Sequence, residues 1–208
     1  MNGSALFVMH RRADATRGDD YLYQPGAPYA DWKIFSQVAT GQLTQGNDKF
    51  ADIISIPWGY AFYTAGPLKV GDKLVGVLLV GTYLDTVARR IDKESLARVS
   101  VYAPGGDIIA TTLTTRDPAR AGIAPAEYER ILKLPADQVY FRPALTDAGT
   151  GDFTEGFGVF EVRDGEPIAL FSVAASHDEY VSQSGGEIRN NMFLVFGVGI
   201  VVIAGIGV

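Results

Sequence analysis

The side chains able to do chemistry are few and scattered in these 208 residues. There is no cysteine, which excludes disulfides, thiolate catalysis, zinc ribbons and iron–sulfur ligation. Two histidines, His10 and His177, leave little for a zinc or copper site. His10 is followed by Arg11 and Arg12, a short cationic run that suits either an anionic ligand or a solvated strand end. Trp58, Tyr60 and Tyr63 suit a pocket wall as well as ordinary core packing. Asp147, Asp152 and Glu155 lie in a glycine-rich stretch, but the Asp-x-Asp-x-Asp spacing of a calcium loop fails and a solvated loop is expected. Gly66 to Gly71 imitates a phosphate loop, yet Asp72-Lys73 follows instead of Lys and then Ser or Thr. No G-x-S-x-G elbow occurs, and no carboxylate pair stands out as acid and base. We therefore expect no catalytic residue, no metal and no cofactor in this segment.

Composition narrows the class further. Apolar residues make up 47% and charged residues 20%, which is globular rather than disordered. The formal net charge of −6 argues against a dedicated nucleic-acid binder. The acidic surplus is concentrated: residues 135–208 carry 3 basic and 10 acidic side chains.

The pattern of apolar residues predicts the elements that would position these groups. Ala5 to His10 reads as a strand. Tyr29, Trp32, Phe35 and Val38 follow helical spacing, with Gly41 as C-cap. Ile53 to Ile56 is a short strand stopped by Pro57. Gly59 to Leu68 alternates, with Tyr60 and Tyr63 on opposite faces; a turn at Lys69–Lys73 follows. Leu74 to Leu84 is a long apolar strand, expected at the centre of its sheet. Leu84, Val87, Ala88 and Ile91 make an amphipathic helix. A second hairpin alternates at Val99, Val101 and Ala103, turns at Pro104-Gly105-Gly106-Asp107 and returns over Ile108 to Leu113. Pro125 and Pro135 bracket a short helix with Tyr128, Ile131 and Leu132. A third hairpin runs Phe157 to Val162 and Ile168 to Ala175, and Ser176-His177-Asp178-Glu179 is a capping box.

The end of the chain is different in kind. Met192 to Val208 holds no charged or strongly polar residue; eleven of the seventeen are Phe, Leu, Ile or Val. Their insertion is favoured by roughly 3–6 kcal/mol before the glycines are counted. A helix of that length spans about 25 Å, slightly less than the hydrocarbon core, so the sequence reads as cut inside a transmembrane helix. Arg189 is the only cation in the twenty residues before it, which places that flank outside the cytoplasm. No leader precedes Ala5, and an N-terminal anchor is expected upstream.

Tyr63-Thr64-Ala65-Gly66-Pro67-Leu68, a turn, and Val75-Gly76-Val77-Leu78-Leu79-Val80-Gly81-Thr82-Tyr83-Leu84-Asp85 resemble Cache domains, the extracytoplasmic PAS-like sensor modules of bacterial receptors. Arg98 to Thr112, turning at Pro104-Gly105-Gly106-Asp107, resembles the opening hairpin of a second, membrane-proximal module. The resemblance covers most of Ala5 to Ala175. It implies a ligand pocket in the membrane-distal module. Amino-acid-binding members carry an aspartate in the last strand of that module, as G-V-D, to hold the ligand ammonium; the matching position here is Gly81. The implied ligand is therefore an anionic or neutral polar small molecule rather than a free amino acid.

The expected architecture is α+β: two PAS-like modules with antiparallel sheets, followed by a C-terminal transmembrane helix. Residues 1–95 form a partial distal module with a connecting helix, 96–176 the proximal module, 177–191 a juxtamembrane helix and 192–208 the span. Ligand contacts are expected from His10, Arg11, Trp58, Tyr63 and Thr82. The expected partners are a small ligand, the bilayer through Met192–Val208 and a second copy of the chain, with no nucleic acid. Sensing for a histidine kinase, chemotaxis receptor or cyclase is the leading function. A membrane-tethered extracytoplasmic hydrolase, or a surface structural protein, is the alternative.

Overall fold

The computed structural model describes residues 8–11, 21–24, 29–42, 48–57, 59–95, 97–113, 122–135, 138–143, 153–162 and 166–176. The juxtamembrane helix and the span expected at 177–208 lie outside the described residues, as does Trp58. Among the described residues no helix is long and apolar enough to cross a membrane. The chain divides into two compact units, one of residues 1–51 and 64–80, the other of residues 52–63 and 81–208.

In the first unit, β1 (Val8–Arg11) pairs antiparallel with β2 (Tyr21–Gln24), setting His10 opposite Leu22 and Arg11 opposite Tyr21. The helix α1 (Lys33–Ala39) buries Ile34 and Val38, one turn apart on one face. It stops at Gly41, whose φ of 70° suits a residue without Cβ. There the amide of Gly41 donates to the Val38 carbonyl and that of Gln42 to the Gln37 carbonyl, both at 3.0 Å, a Schellman ending. Trp32 sits at the N-cap, edge-on to Tyr29 with ring centroids 4.6 Å apart.

Three long strands follow: β3 (Phe50–Ile56), β4 (Gly59–Val70) and β5 (Lys73–Tyr83), in the sheet order β3-β4-β5. The β4–β5 turn uses Gly71 at φ 58°. The apolar strand β5 is not central as expected. It lies at the edge, paired on one side only among the described residues, and β4 is the middle strand. Val75, Leu78 and Val80 are each more than half exposed. Apolar character fixes that a strand seeks cover; it does not fix which neighbour supplies it.

The second unit is built on a five-stranded antiparallel sheet in the order β7-β6-β10-β9-β8. Its strands are β6 (Arg98–Tyr102), β7 (Ile108–Thr111), β8 (Tyr140–Pro143), β9 (Phe153–Val162) and β10 (Glu166–Ser176). Two helices join it, α2 (Leu84–Ser95) and α3 (Pro125–Leu132). Leu84 and Ala88 of α2 pack with Val101, Ala110, Phe160, Ala169, Phe171 and Val173. Phe62 stacks on Phe160 with centroids 5.5 Å apart in the same cluster. Tyr128 and Ile131 of α3 pack with Tyr102, Ile123, Phe157 and Leu170. Successive residues of β6 and β10 thus enter different clusters, as the two-residue period of a strand requires.

This double cover changes the reading of β6. Its positions between the apolar alternation, Ser100 and Tyr102, are fully buried as well. The core of α2 likewise belongs with the five-stranded sheet. At the β6–β7 turn, Gly105 and Gly106 have φ near +99° and +98°. A Cβ on Gly106 would collide with the Ile123 carbonyl oxygen and stand 2.8 Å from its carbon. The carbonyl of Gly106 in turn accepts from the Ile123 amide at 2.8 Å, which ties the turn to the segment entering α3.

Candidate functional site

Of the residues expected to touch ligand, Tyr63 and Thr82 lie on neighbouring strands of the second unit, both half-buried. His10 and Arg11 lie on β1 of the first unit, where the backbone is described and the side chains are not. Trp58 is outside the described residues.

Tyr63 has a specific seat. A Cβ built on Gly81 of β5 would fall against the Tyr63 ring, in collision with Cε1, 2.6 Å from Cζ and 2.8 Å from Cδ1. The ring therefore lies over the bare Cα of Gly81. Gly81 has no left-handed φ, so a side chain there would displace the Tyr63 ring rather than strain the backbone. Thr82 follows Gly81 in an extended strand, so its side chain leaves from the opposite face. The structure thus separates two residues that the sequence grouped: Tyr63 belongs to one face of the hairpin and Thr82 to the other. Ala61, two residues before Tyr63 and on its face, is 2% exposed. Tyr60, on the other face, is exposed.

The second polar feature centres on a residue that the sequence reading placed in a solvated loop. Glu155 on β9 is 1% exposed. Its Oε1 accepts from the Tyr102 hydroxyl at 2.7 Å and the Ser172 hydroxyl at 2.9 Å, and its Oε2 accepts from Arg142 Nε at 2.9 Å. Arg142 Nη1 also donates to the Gly122 carbonyl at 3.1 Å, and the guanidinium stands 5.1 Å from the centroid of the Phe157 ring. Four strands, β6, β8, β9 and β10, meet at this carboxylate. The solvated loop expected at Glu155 is corrected: the residue lies inside a strand whose row Phe153, Glu155, Phe157 shares one face. A carboxylate in register with two phenylalanines is the signal that was available.

Burial, followed by the charge of Glu155, pushes the Tyr102 hydroxyl well above the ordinary phenol range. For Arg142, burial acts to lower the pKa, but the Glu155 carboxylate overrides it and the net shift is upward. Both partners are thus held in one protonation state, Tyr102 neutral and Arg142 charged. With three donors on its two oxygens and 1% exposure, Glu155 joins four strands through its side chain. Among the described residues no group of three His, Cys, Asp or Glu side chains could hold a metal ion.

No protein-family model matches the sequence. No curated protein matches it. Among solved structures, the extracellular domain of vpHK1S-Z8, provisionally described as a histidine kinase, aligns with a TM-score of 0.52 at 11% identity, over 88% of this chain and 70% of that one. The ligand-binding domain of the Campylobacter jejuni chemoreceptor Tlp3, solved with 4-methylisoleucine, aligns at 0.45 and 12% identity, over 88% of this chain and 65% of that one. That of the Pseudomonas aeruginosa PAO1 amino acid chemoreceptor PctB, solved with L-Arg, aligns at 0.39 and 15%, over 93% and 77%. The first likeness shows the fold: this chain has the α+β architecture of that extracellular domain. The other two scores fall below one half and carry no argument about this chain.

Proposed function

We propose that the chain is the extracytoplasmic input region of a transmembrane receptor. It binds a small anionic or neutral polar ligand and passes a displacement through the segment after Ser176 to a membrane helix at Met192–Val208. The observation that carries this reading is the fold shared with an extracellular domain described as part of a histidine kinase, followed in this sequence by an uninterrupted apolar run. A kinase, chemotaxis or cyclase output on the cytoplasmic side, and a homodimeric assembly, belong to the same proposal. So does an organisation into two modules, supported by Val77 and Val101 lying in different sheets; the helix α2, expected with the first module, packs on the sheet of the second.

The hydrolase alternative gains nothing from the described polar cluster. Glu155 is sealed and saturated with donors, whereas a general acid or base must reach its substrate. Tyr63, His10, Arg11, Trp58 and Thr82 are the ligand contacts of this proposal, and substitution at each tests the reading.

The test is a thermal-shift screen of carboxylates, amino acids and sugars on the full chain. A ligand at one hundred times its dissociation constant stabilises by about 2.7 kcal/mol. Saturable stabilisation by one chemical class supports the sensor. No stabilisation by any of the three classes would sink it.

A further inference from the structure

One order of elements occurs twice in the chain. β1, β2, α1, β3, β4 and β5 run as two strands, a helix and three strands, and β6, β7, α3, β8, β9 and β10 run the same way. In the second set the strands pair as β7-β6-β10-β9-β8, so the first strand lies between the second and the last. The first set shows both halves of that order, β2 beside β1 and β5-β4-β3 in sequence. Among the described residues it lacks one ladder, that of first strand to last, so β1 and β5 each keep one side open.

The last strands of the two sets match in detail. β5 and β10 both have 11 residues. On β10 the pairing with β6 begins at the fifth residue, Leu170, and runs to Ala174. All of Leu170–Ala174 is buried. The fifth residue of β5 is Val77, followed by Leu78, Leu79 and Val80. The matching segments read Leu-Phe-Ser-Val and Val-Leu-Leu-Val, with no charge in either. Yet Leu78 is 51% exposed and Val80 58%. A strand that ends a sheet is ordinarily blunted by charge or proline, because its open row of amides and carbonyls accepts any further strand. Val77–Val80 carries neither, and has the unbroken apolar sequence of an interior strand.

We propose that the open side of β5 at Val77–Val80 is the docking site of β1 from the same chain. The two run antiparallel, as β6 and β10 do, and complete a sheet of order β2-β1-β5-β4-β3. The four residues of β1 match this stretch in length. Binding is main chain to main chain, and it draws Leu78 and Val80 out of water. The inference stands on strand order and exposure, and it does not depend on the ligand reading.

Two measurements on the full chain test it, and neither uses a ligand. The chain has no cysteine, so introduced pairs report contact directly. Met9→Cys is combined in turn with Leu78→Cys, Leu79→Cys and Val80→Cys, and each variant is oxidised. One of the three closes an intramolecular disulfide at least tenfold faster than Met9→Cys with Lys73→Cys, at the far end of β5. Disulfides that form only between chains assign the open side to a second copy and overturn the proposal. So does the absence of any selective pair. Residue-resolved amide exchange reads the same ladder without a new bond. In the unmodified protein the successive amides of Val77–Val80 are all slow. Met9→Pro with His10→Pro removes donors on both sides of β1. It speeds every second one of these amides at least tenfold and leaves the others, bonded to β4, slow. Exchange unchanged by the two prolines, or alternate amides already fast in the unmodified protein, overturns the docking of β1.

Discussion

Arg142 and Glu155 are direct cross-strand partners between β8 and β9, with Nε 2.9 Å from Oε2, and Glu155 is buried while Arg142 is nearly so. Charges placed this deep cost desolvation, which each offsets for the other together with the hydroxyls of Tyr102 and Ser172 on Glu155 and the Gly122 carbonyl on Arg142. The edge strand β8 is thus fastened to the sheet through a side chain as well as through its backbone.

Removing one partner leaves the other uncompensated. Arg142→Met should cost about 3–5 kcal/mol of unfolding free energy. The double substitution Arg142→Met with Glu155→Leu should cost less than Arg142→Met alone, because the stranded carboxylate is gone. Urea unfolding of the three proteins decides this, and a double variant weaker than the single would show that the hydroxyl partners, Tyr102 and Ser172, dominate instead.

The raised pKa of Tyr102 makes stability fall at alkaline pH. Below the ordinary phenol value of 10.0 both folded and unfolded states hold the proton, and the contribution is fully present. As pH rises past that value the unfolded chain ionises first, while burial and Glu155 keep the folded hydroxyl neutral. Stability should decline from there upward. Tyr128, raised mainly by burial, and Tyr140, raised mainly by its hydrogen bond to Glu127, add to the same slope. Tyr102→Phe should flatten the decline, and an unchanged slope would remove Tyr102 as its source.

Gly106→Ala places a methyl group against the Ile123 carbonyl at a φ of 98°. Backbone strain of this kind costs about 1–3 kcal/mol, with the collision in addition. Gly76→Ala, where 3.4 Å is available, is the matched control and should be far milder. Thermal unfolding of the two variants side by side tests the contrast.

The apolar run at the C-terminal end yields a prediction from sequence. Val201→Arg near its middle should cost about 2.5–3.5 kcal/mol of membrane insertion. Glycosylation-reporter or alkaline-extraction assays read this directly. Unchanged integration would count against a span at Met192–Val208.

Much of the architecture was legible because it is local. The alternation through Gly59–Leu68, the glycine turns at Gly71 and Gly105-Gly106, the spacing of Leu84 and Ala88, and the prolines around Tyr128 each specify an element through backbone and periodicity alone. The short strands β2 and β8 were not legible, since four residues carry too little period to stand out from loop. Strand order was not legible either. The run Leu74 to Leu84 demands cover on any reading, and only pairing across the sheet sets β5 at an edge and puts β6 and β10 under helices on both faces.

The same division holds for the sites. The sequence by itself determined that Gly81 offers no side chain and that no cysteine is present. The tertiary structure decided what fills the space over Gly81, a ring eighteen positions earlier in the chain, and which face of the hairpin Thr82 serves. It also joined Tyr102, Arg142, Glu155 and Ser172, which stand far apart in sequence. Side-chain identity and strand period are properties of the chain. Which charge meets which, at 2.9 Å and out of water, depends on strand register, and register is settled only when the whole sheet packs.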